Sequence, residues 1–330
     1  MILKSRWAAA ITTLVVIAAA GPLLFAVGNN YVTQSIVRVF VLALFVLSVE
    51  LAWGQTGIFT LGHAVFFGIG AYASGLLATK VHVSDILVLL GAAGTIGLLV
   101  GSLVGLFLFT GRRVSELYVG LFTLALAYAA QRLANSWSAI GAANGIPGVP
   151  LPTLFGAKVT TGPVMFYVAL GIAGIALLVT LFIVQSQFGL VLNAVRDDEE
   201  RAEFLGYSRT AVQVVSFSCS AALAAVGGAM FALADGFVSP SLLGVGLSTS
   251  VVLWVVLGGR GTFFGPLIAL AVLQFIDRQM QDALPQWWPI IVGFLLLLTI
   301  VFLPRGLMSI PSVLRMRRER PRADLSEVSA

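Results

Sequence analysis

The chain has 330 residues, 59% of them hydrophobic and 10% charged, with a mean hydropathy of +1.01. Soluble globular domains hold about 45–50% apolar and about 25% charged residues, so this composition excludes an ordinary soluble fold and predicts an all-α polytopic membrane protein. The net charge of +5 does not point to nucleic acid, because Lys and Arg gather in short segments beside apolar runs and in the C-terminal tail; the single cysteine, Cys219, excludes a disulfide framework and a cysteine-based metal site.

Lys4 and Arg6 precede an apolar run from Trp7 to Val27. Ala18 to Ala20 imitate a signal-peptide cleavage site, but the run continues past them to the roughly 20 residues that a span needs, which predicts an uncleaved first helix. Further runs follow at Ser35 to Trp53, Thr60 to Thr79, Ile86 to Thr110, Glu116 to Asn135 and Val164 to Gln185. The last four are Val212 to Asp235, Leu243 to Gly258, Thr262 to Ile276 and Trp287 to Leu303, the eighth and ninth being short for a bilayer.

Ten spans with a cytoplasmic N-terminus put Arg112, Arg113, Arg196, Arg201, Arg209, Arg260, Arg305 and the tail arginines in the cytoplasm, and only Lys80, Lys158 and Arg278 outside. That asymmetry follows the positive-inside rule, and it places both termini in the cytoplasm. Arg38 and Arg132 near outer ends can snorkel. Residues 1–310 therefore read as a transmembrane domain, and 311–330 as a basic tail without apolar periodicity, expected to be disordered. Gly97, Gly101 and Gly105 lie on one helical face, as residues in close helix–helix contacts do.

Asn193 to Arg209 is the one densely charged interruption in the apolar middle of the chain. If Val191 to Tyr207 is helical, Val195, Ala202, Leu205 and Phe204 form an apolar stripe, Asp197, Asp198, Glu199 and Glu200 lie near a helix start, and Gly206 stops the helix. Such an element, with Arg196 and Arg201 on its polar side, either docks on a soluble partner or is a solvated loop that sets topology.

GQTGIFTLGHAVFFGIGAYASG, from Gly54 to Gly75, opens on glycines that permit a tight turn at Gly54 and Gly57. A similar glycine pattern, GGRGTFFG, occupies Gly258 to Gly265, a faint internal echo too short to establish a duplication. His63, Glu50 and Asp235 are ionisable groups in or beside apolar runs, candidates either for a polar path or for structural hydrogen bonds. Asn144 sits in the Gly/Pro-rich outer loop from Ser138 to Pro163, which reads as a docking surface, a gate or a connector. No GxxxxGK[ST], HExxH or GxSxG pattern occurs, so the chain is read as non-catalytic, without a cofactor or metal of its own.

Three blocks, GQTGIFTLGHAVFFGIGAY, ANGIPGVP and AVRDDEERAEFLGYS with the GFVSPSLLG and VVLGGRGTFFGPLIAL that follow it, resemble the branched-chain amino acid permease family of ATP-binding-cassette importers, especially its LivM-like branch, over Ser35 to Leu303. Urea and amide importer permeases look similar. The resemblance implies a type II importer-like permease in the bacterial inner membrane, paired with a second, related permease. It also implies two cytoplasmic ATPases and an extracytoplasmic solute-binding protein. The coupling element would then comprise Arg196, Asp197, Asp198, Glu199, Glu200, Arg201, Leu205 and Gly206, within about 190–210. Glu50, Gly54, Gly57, His63, Asn144 and Asp235 remain pathway candidates, and a stand-alone channel or facilitator for a small neutral solute is the alternative.

Overall fold

A computed structural model describes residues 30–111, 114–160 and 162–283, together with 287, 290, 291, 293 and 294. The expected first span, nearly all of the tenth, Arg112, Arg113 and the basic tail lie outside the described residues. Ten helices are described: α1 (Asn30–Val49), α2 (Ala64–Lys80), α3 (Ile86–Phe109), α4 (Glu116–Ser136), α5 (Pro163–Gln185), α6 (Gln187–Asp197), α7 (Glu199–Phe204), α8 (Arg209–Asp235), α9 (Val245–Gly258) and α10 (Phe264–Ala283). Five are long and apolar enough to cross a membrane: Val32–Gln55, Ile86–Phe109, Glu116–Ser136, Pro163–Gln185 and Arg209–Asp235; Ala64–Lys80, Val245–Gly258 and Phe264–Asp277 are shorter apolar helices.

The axis of the bundle is α8, a 27-residue helix rich in Ala, Ser and Gly. Its small side chains let neighbours approach closely, and α1, α2 and α3 pack around it. The glycine row of α3 meets it directly: a Cβ on Gly97 would lie 2.5 Å from the Ala225 Cβ, and one on Gly101 2.5 Å from that of Ala221. The opposite face of α3 turns Leu99, Leu103 and Phe107 outward. This helix is apolar all round, with small residues towards protein and bulky ones away from it, as expected for a helix whose other solvent is lipid. Asp85 caps α3 by accepting a hydrogen bond from the Leu87 N–H at 2.8 Å, and Ser208 caps α8.

At one end of the bundle the long Gly/Pro-rich loop is fastened down. Its strand β1 (Ile146–Pro147) pairs antiparallel with β4 (Phe237–Val238), just beyond the end of α8, in the register Ile146 to Val238 and Pro147 to Phe237. A second hairpin, β2 (Thr153–Leu154) with β3 (Ala157–Lys158), is tied to the start of α3 where the Thr153 N–H donates to the Ser84 carbonyl at 2.6 Å. Lys80 donates to the Ala139 carbonyl at 2.7 Å. The opposite end carries α6, α7 and the Gly258–Gly265 junction.

Two expected elements differ from the structure. The third apolar run does not begin as a helix at Thr60: residues 57–63 are irregular and α2 starts at Ala64. The single helix expected over Val191 to Tyr207 is two helices broken at Asp198, whose backbone is extended (φ −159°, ψ 100°). The Asp198 carboxylate accepts from the Arg201 N–H at 3.1 Å, so a residue expected inside a helix is the N-cap of a new one.

Candidate functional site

The site begins where α1 loses its regular path. After Val49 the residues Glu50–Gln55 form a wide turn of π type, and the Ile58 N–H bonds the Ala52 carbonyl at 2.9 Å rather than continuing an α-helix. Residues 57–63 are then irregular and mostly buried. Irregular backbone at membrane depth survives only where other protein groups satisfy it. Here hydroxyls from two other helices do so: Thr123 of α4 accepts from the Leu61 N–H at 3.1 Å and Ser248 of α9 accepts from the Ala64 N–H at 3.1 Å, while Ser216 of α8 bonds the Thr56 side-chain hydroxyl at 2.5 Å.

His63 is fully buried against α8 and surrounded by Phe45, Phe66 and Phe217. Its Nε2 lies 2.9 Å from the Ser220 Oγ, and that hydroxyl donates to the Ser48 carbonyl at 2.6 Å. With the hydroxyl proton committed to Ser48, Nε2 must carry the imidazole proton and donate it, which leaves Nδ1 as a buried acceptor without a partner. Glu50 is likewise fully buried. Gln55 Nε2 donates to its Oε1 at 3.4 Å, and its Oε2 has no hydrogen-bond partner. The Trp53 Nε1 and Thr60 Oγ1 are also buried without partners. Four such atoms on one segment are unusual, because buried polar groups are nearly always paired.

The charged element packs beneath this break. Leu192 and Val195 of α6, Ala202 of α7 and Val212 of α8 form a small buried cluster. The acidic residues are largely engaged by the element itself and by the start of α8: Asp198 pairs with Arg201 at 2.9 Å, Glu199 bonds Arg209 at 3.2 Å and Gln213 at 2.9 Å, and Glu203 lies 3.6 Å from Arg209. Phe204 and Leu205 do not continue the stripe begun by Val195 and Ala202, contrary to the sequence expectation. The break at Asp198 changes the helical phase, and they stand 90% and 74% exposed at the tip. Gly206 does end α7, with φ +89°, the Tyr207 N–H bonding the Ala202 carbonyl and the Gly206 N–H that of Glu203.

Arg196 joins the two parts, its Nη1 donating to the Gly54 carbonyl at 2.8 Å. The second glycine junction meets the same turn, with the Arg260 guanidinium 5.3 Å from the Trp53 ring centre. Glu50, Gly54, Gly57 and His63 thus share one broken segment, and Arg196 reaches it. Asn144 and Asp235 belong to the far end of the bundle: Asn144 is exposed in a 3₁₀ turn before β1, and Asp235 pairs with Arg38 at 2.6 Å. Sequence reasoning missed Ser216, Ser220, Ser248 and Thr123. The available signal was the Ser216/Ser220 pair, polar at helical spacing inside an apolar span.

Residues 31–300 match the family described as branched-chain amino acid transport system / permease component. The chain belongs to this permease family. It is 28% identical over 319 residues to the high-affinity branched-chain amino acid transport system permease protein LivM of Salmonella typhimurium, covering 89% of this chain and 73% of the relative. It is 27% identical over 322 residues to LivM of Escherichia coli K12, covering 90% and 74%. LivH of Salmonella typhimurium, also named as a permease protein of that transport system, is 27% identical over 297 residues, covering 82% and 92%. No solved structure matches. A transport permease component is non-catalytic.

Proposed function

We propose that this permease forms part of the translocation pathway of an ATP-driven importer in the bacterial inner membrane, and that residues 187–207 are its coupling element for a cytoplasmic ATPase. The observation that carries the reading is the exposed Phe204–Leu205 tip on an element otherwise braced by ion pairs, one internal and one to Arg209 of α8. Large apolar side chains presented on a charged surface mark a protein interface rather than a topology loop. The solute is a branched-chain or other hydrophobic amino acid, with small amides or urea as further members of the class. The broken segment from Glu50 to His63 is the part of the pathway this chain contributes.

The full proposed unit has ten spans with both termini in the cytoplasm, a second, related permease, two ATPases and an extracytoplasmic binding protein. Similarity to both LivM and LivH supports pairing of two related chains. Arg196, Arg201, Arg209 and Arg260 gather at the end of the 187–207 element, while Lys80 and Lys158 lie at the other, which supports the orientation. Scrambling Asp197 to Glu203 tests the reading: ATPase co-purification and ATP-driven leucine uptake are both expected to be lost, and retention of both refutes it. Robust flux through this chain alone in proteoliposomes without ATPases would instead establish the facilitator.

A further inference from the structure

The turn at Glu50–Gly57 frees one particular backbone group. In an α-helix the Ile58 N–H would bond the Gly54 carbonyl, but here it bonds that of Ala52, so the Gly54 oxygen needs another donor. Arg196 supplies it at 2.8 Å from an element 142 residues further along the chain. The fit is close: Gly57 has φ +82°, a conformation that disfavours any side chain, and a Cβ there would lie 3.0 Å from the Arg196 Cγ. A Cβ on Gly54 would run into the Glu50 carboxylate, so this turn is packed tightly on both sides.

Two arginines from two different loops therefore close on one turn. Arg196 bonds its backbone and Arg260 stacks on its Trp53. A cavity of about 50 Å³, lined by Thr56, Gly57, Val195, Arg196, Glu199 and Gln213 among others, separates the coupling element from the turn. That is room enough for water, and the Arg196 bond to Gly54 spans from the element to the turn beside it.

We propose that Arg196 is the positioning residue through which the 187–207 element sets the conformation of the Glu50–Gly57 turn, and that this turn is the cytoplasmic gate. This rests on the coupling reading above. When an ATPase displaces the element, Arg196 withdraws from the Gly54 carbonyl. That oxygen then loses its donor while buried, which favours an open turn in which water reaches it.

The test uses the complete transporter in proteoliposomes, with both permeases, the ATPases and the binding protein, and reads leucine taken up per ATP hydrolysed. Arg196→Ala is expected to lower that ratio about tenfold or more, the effect of one lost charge-assisted hydrogen bond, while ATPases still co-purify. Arg196→Lys keeps a cation that can still donate and is expected to recover part of the ratio. Gly57→Ala perturbs the contact from the opposite side, without changing the sequence of the coupling element, and is expected to lower the ratio likewise. An unchanged ratio in Arg196→Ala overturns the proposal, whatever Gly57→Ala does. Loss of ATPase co-purification in Arg196→Ala would make Arg196 a docking contact and overturn the proposal while leaving the coupling reading intact. Retained uptake and ATPase association after scrambling Asp197 to Glu203 would sink the coupling reading itself.

Discussion

The exposed Phe204–Leu205 tip of the proposed coupling element gives a prediction whose two halves must move independently. Replace Phe204 and Leu205 together by serine. In the isolated chain these side chains are 90% and 74% exposed, so they bury little apolar surface and their removal leaves stability within about 0.5 kcal/mol. On docking, burial of a Phe or Leu contributes about 1.5–3 kcal/mol each. Taking the lower end for both gives about 3 kcal/mol, which corresponds to roughly 100-fold weaker binding of the ATPase partner. A matched pair of polar changes, Asp197→Asn with Glu200→Gln, alters charges on the same surface and is expected to cost less than about 1 kcal/mol. The assay is equilibrium titration of purified ATPase onto the permease in nanodiscs, run beside thermal inactivation of each variant. Binding of the serine pair within threefold of the native chain, at unchanged thermal stability, would refute the assignment of the tip as the docking anchor.

Gly101→Leu drives a side chain into Ala221 across the α3–α8 seam and is expected to cost about 1–3 kcal/mol, read as faster thermal inactivation in detergent; Gly91→Leu, on the same helix with open space around it, is expected to be neutral. Ser220→Ala removes the acceptor for the His63 Nε2–H and strands a second polar atom of a fully buried ring, a cost of about 1–3 kcal/mol. His63→Phe combined with Ser220→Ala removes both polar partners and is expected to recover part of that loss; no difference between single and double variants would refute the tautomer argument. In hydrogen exchange, amides of 58–62 are expected to exchange well before those of Ala221 to Ala225, because only scattered side-chain and turn contacts hold the former.

How much of this was legible depends on the range of the interactions. The α3 glycine row was readable because its period is local to one helix, and the structure puts Gly97 and Gly101 against α8 as that spacing implies. The break at Asp198 was hidden by composition: a run of acidic residues reads as one helix start, and only the cap on Arg201 shows that it opens a second helix. Glycines at 54 and 57 marked a turn, but the apolar letters of IFTLGHAVFF masked the irregular stretch before Ala64. That stretch is fixed by Thr123, Ser216, Ser220 and Ser248, partners 62 to 184 residues away in sequence. Such pairings leave no periodic trace in a single sequence.

These ranges also separate the mechanical roles within the bundle. The seam between α3 and α8 is glycine against alanine, with no side-chain volume to spare, so the two helices have little freedom to slide or repack. The segment from Glu50 to His63 is held in addition by Arg196 and by single hydroxyl contacts, each of the latter with a net worth of about 0.5–1.5 kcal/mol because water offers an alternative partner. Exchanging a few such bonds for water or for a polar solute costs little, whereas separating the seam would expose close-packed backbone. Its unpartnered atoms, Glu50 Oε2, Trp53 Nε1, Thr60 Oγ1 and His63 Nδ1, would gain partners from any such exchange. A conformational change in this chain should therefore pass through the broken segment, with α8 and α3 as the fixed frame against which it moves.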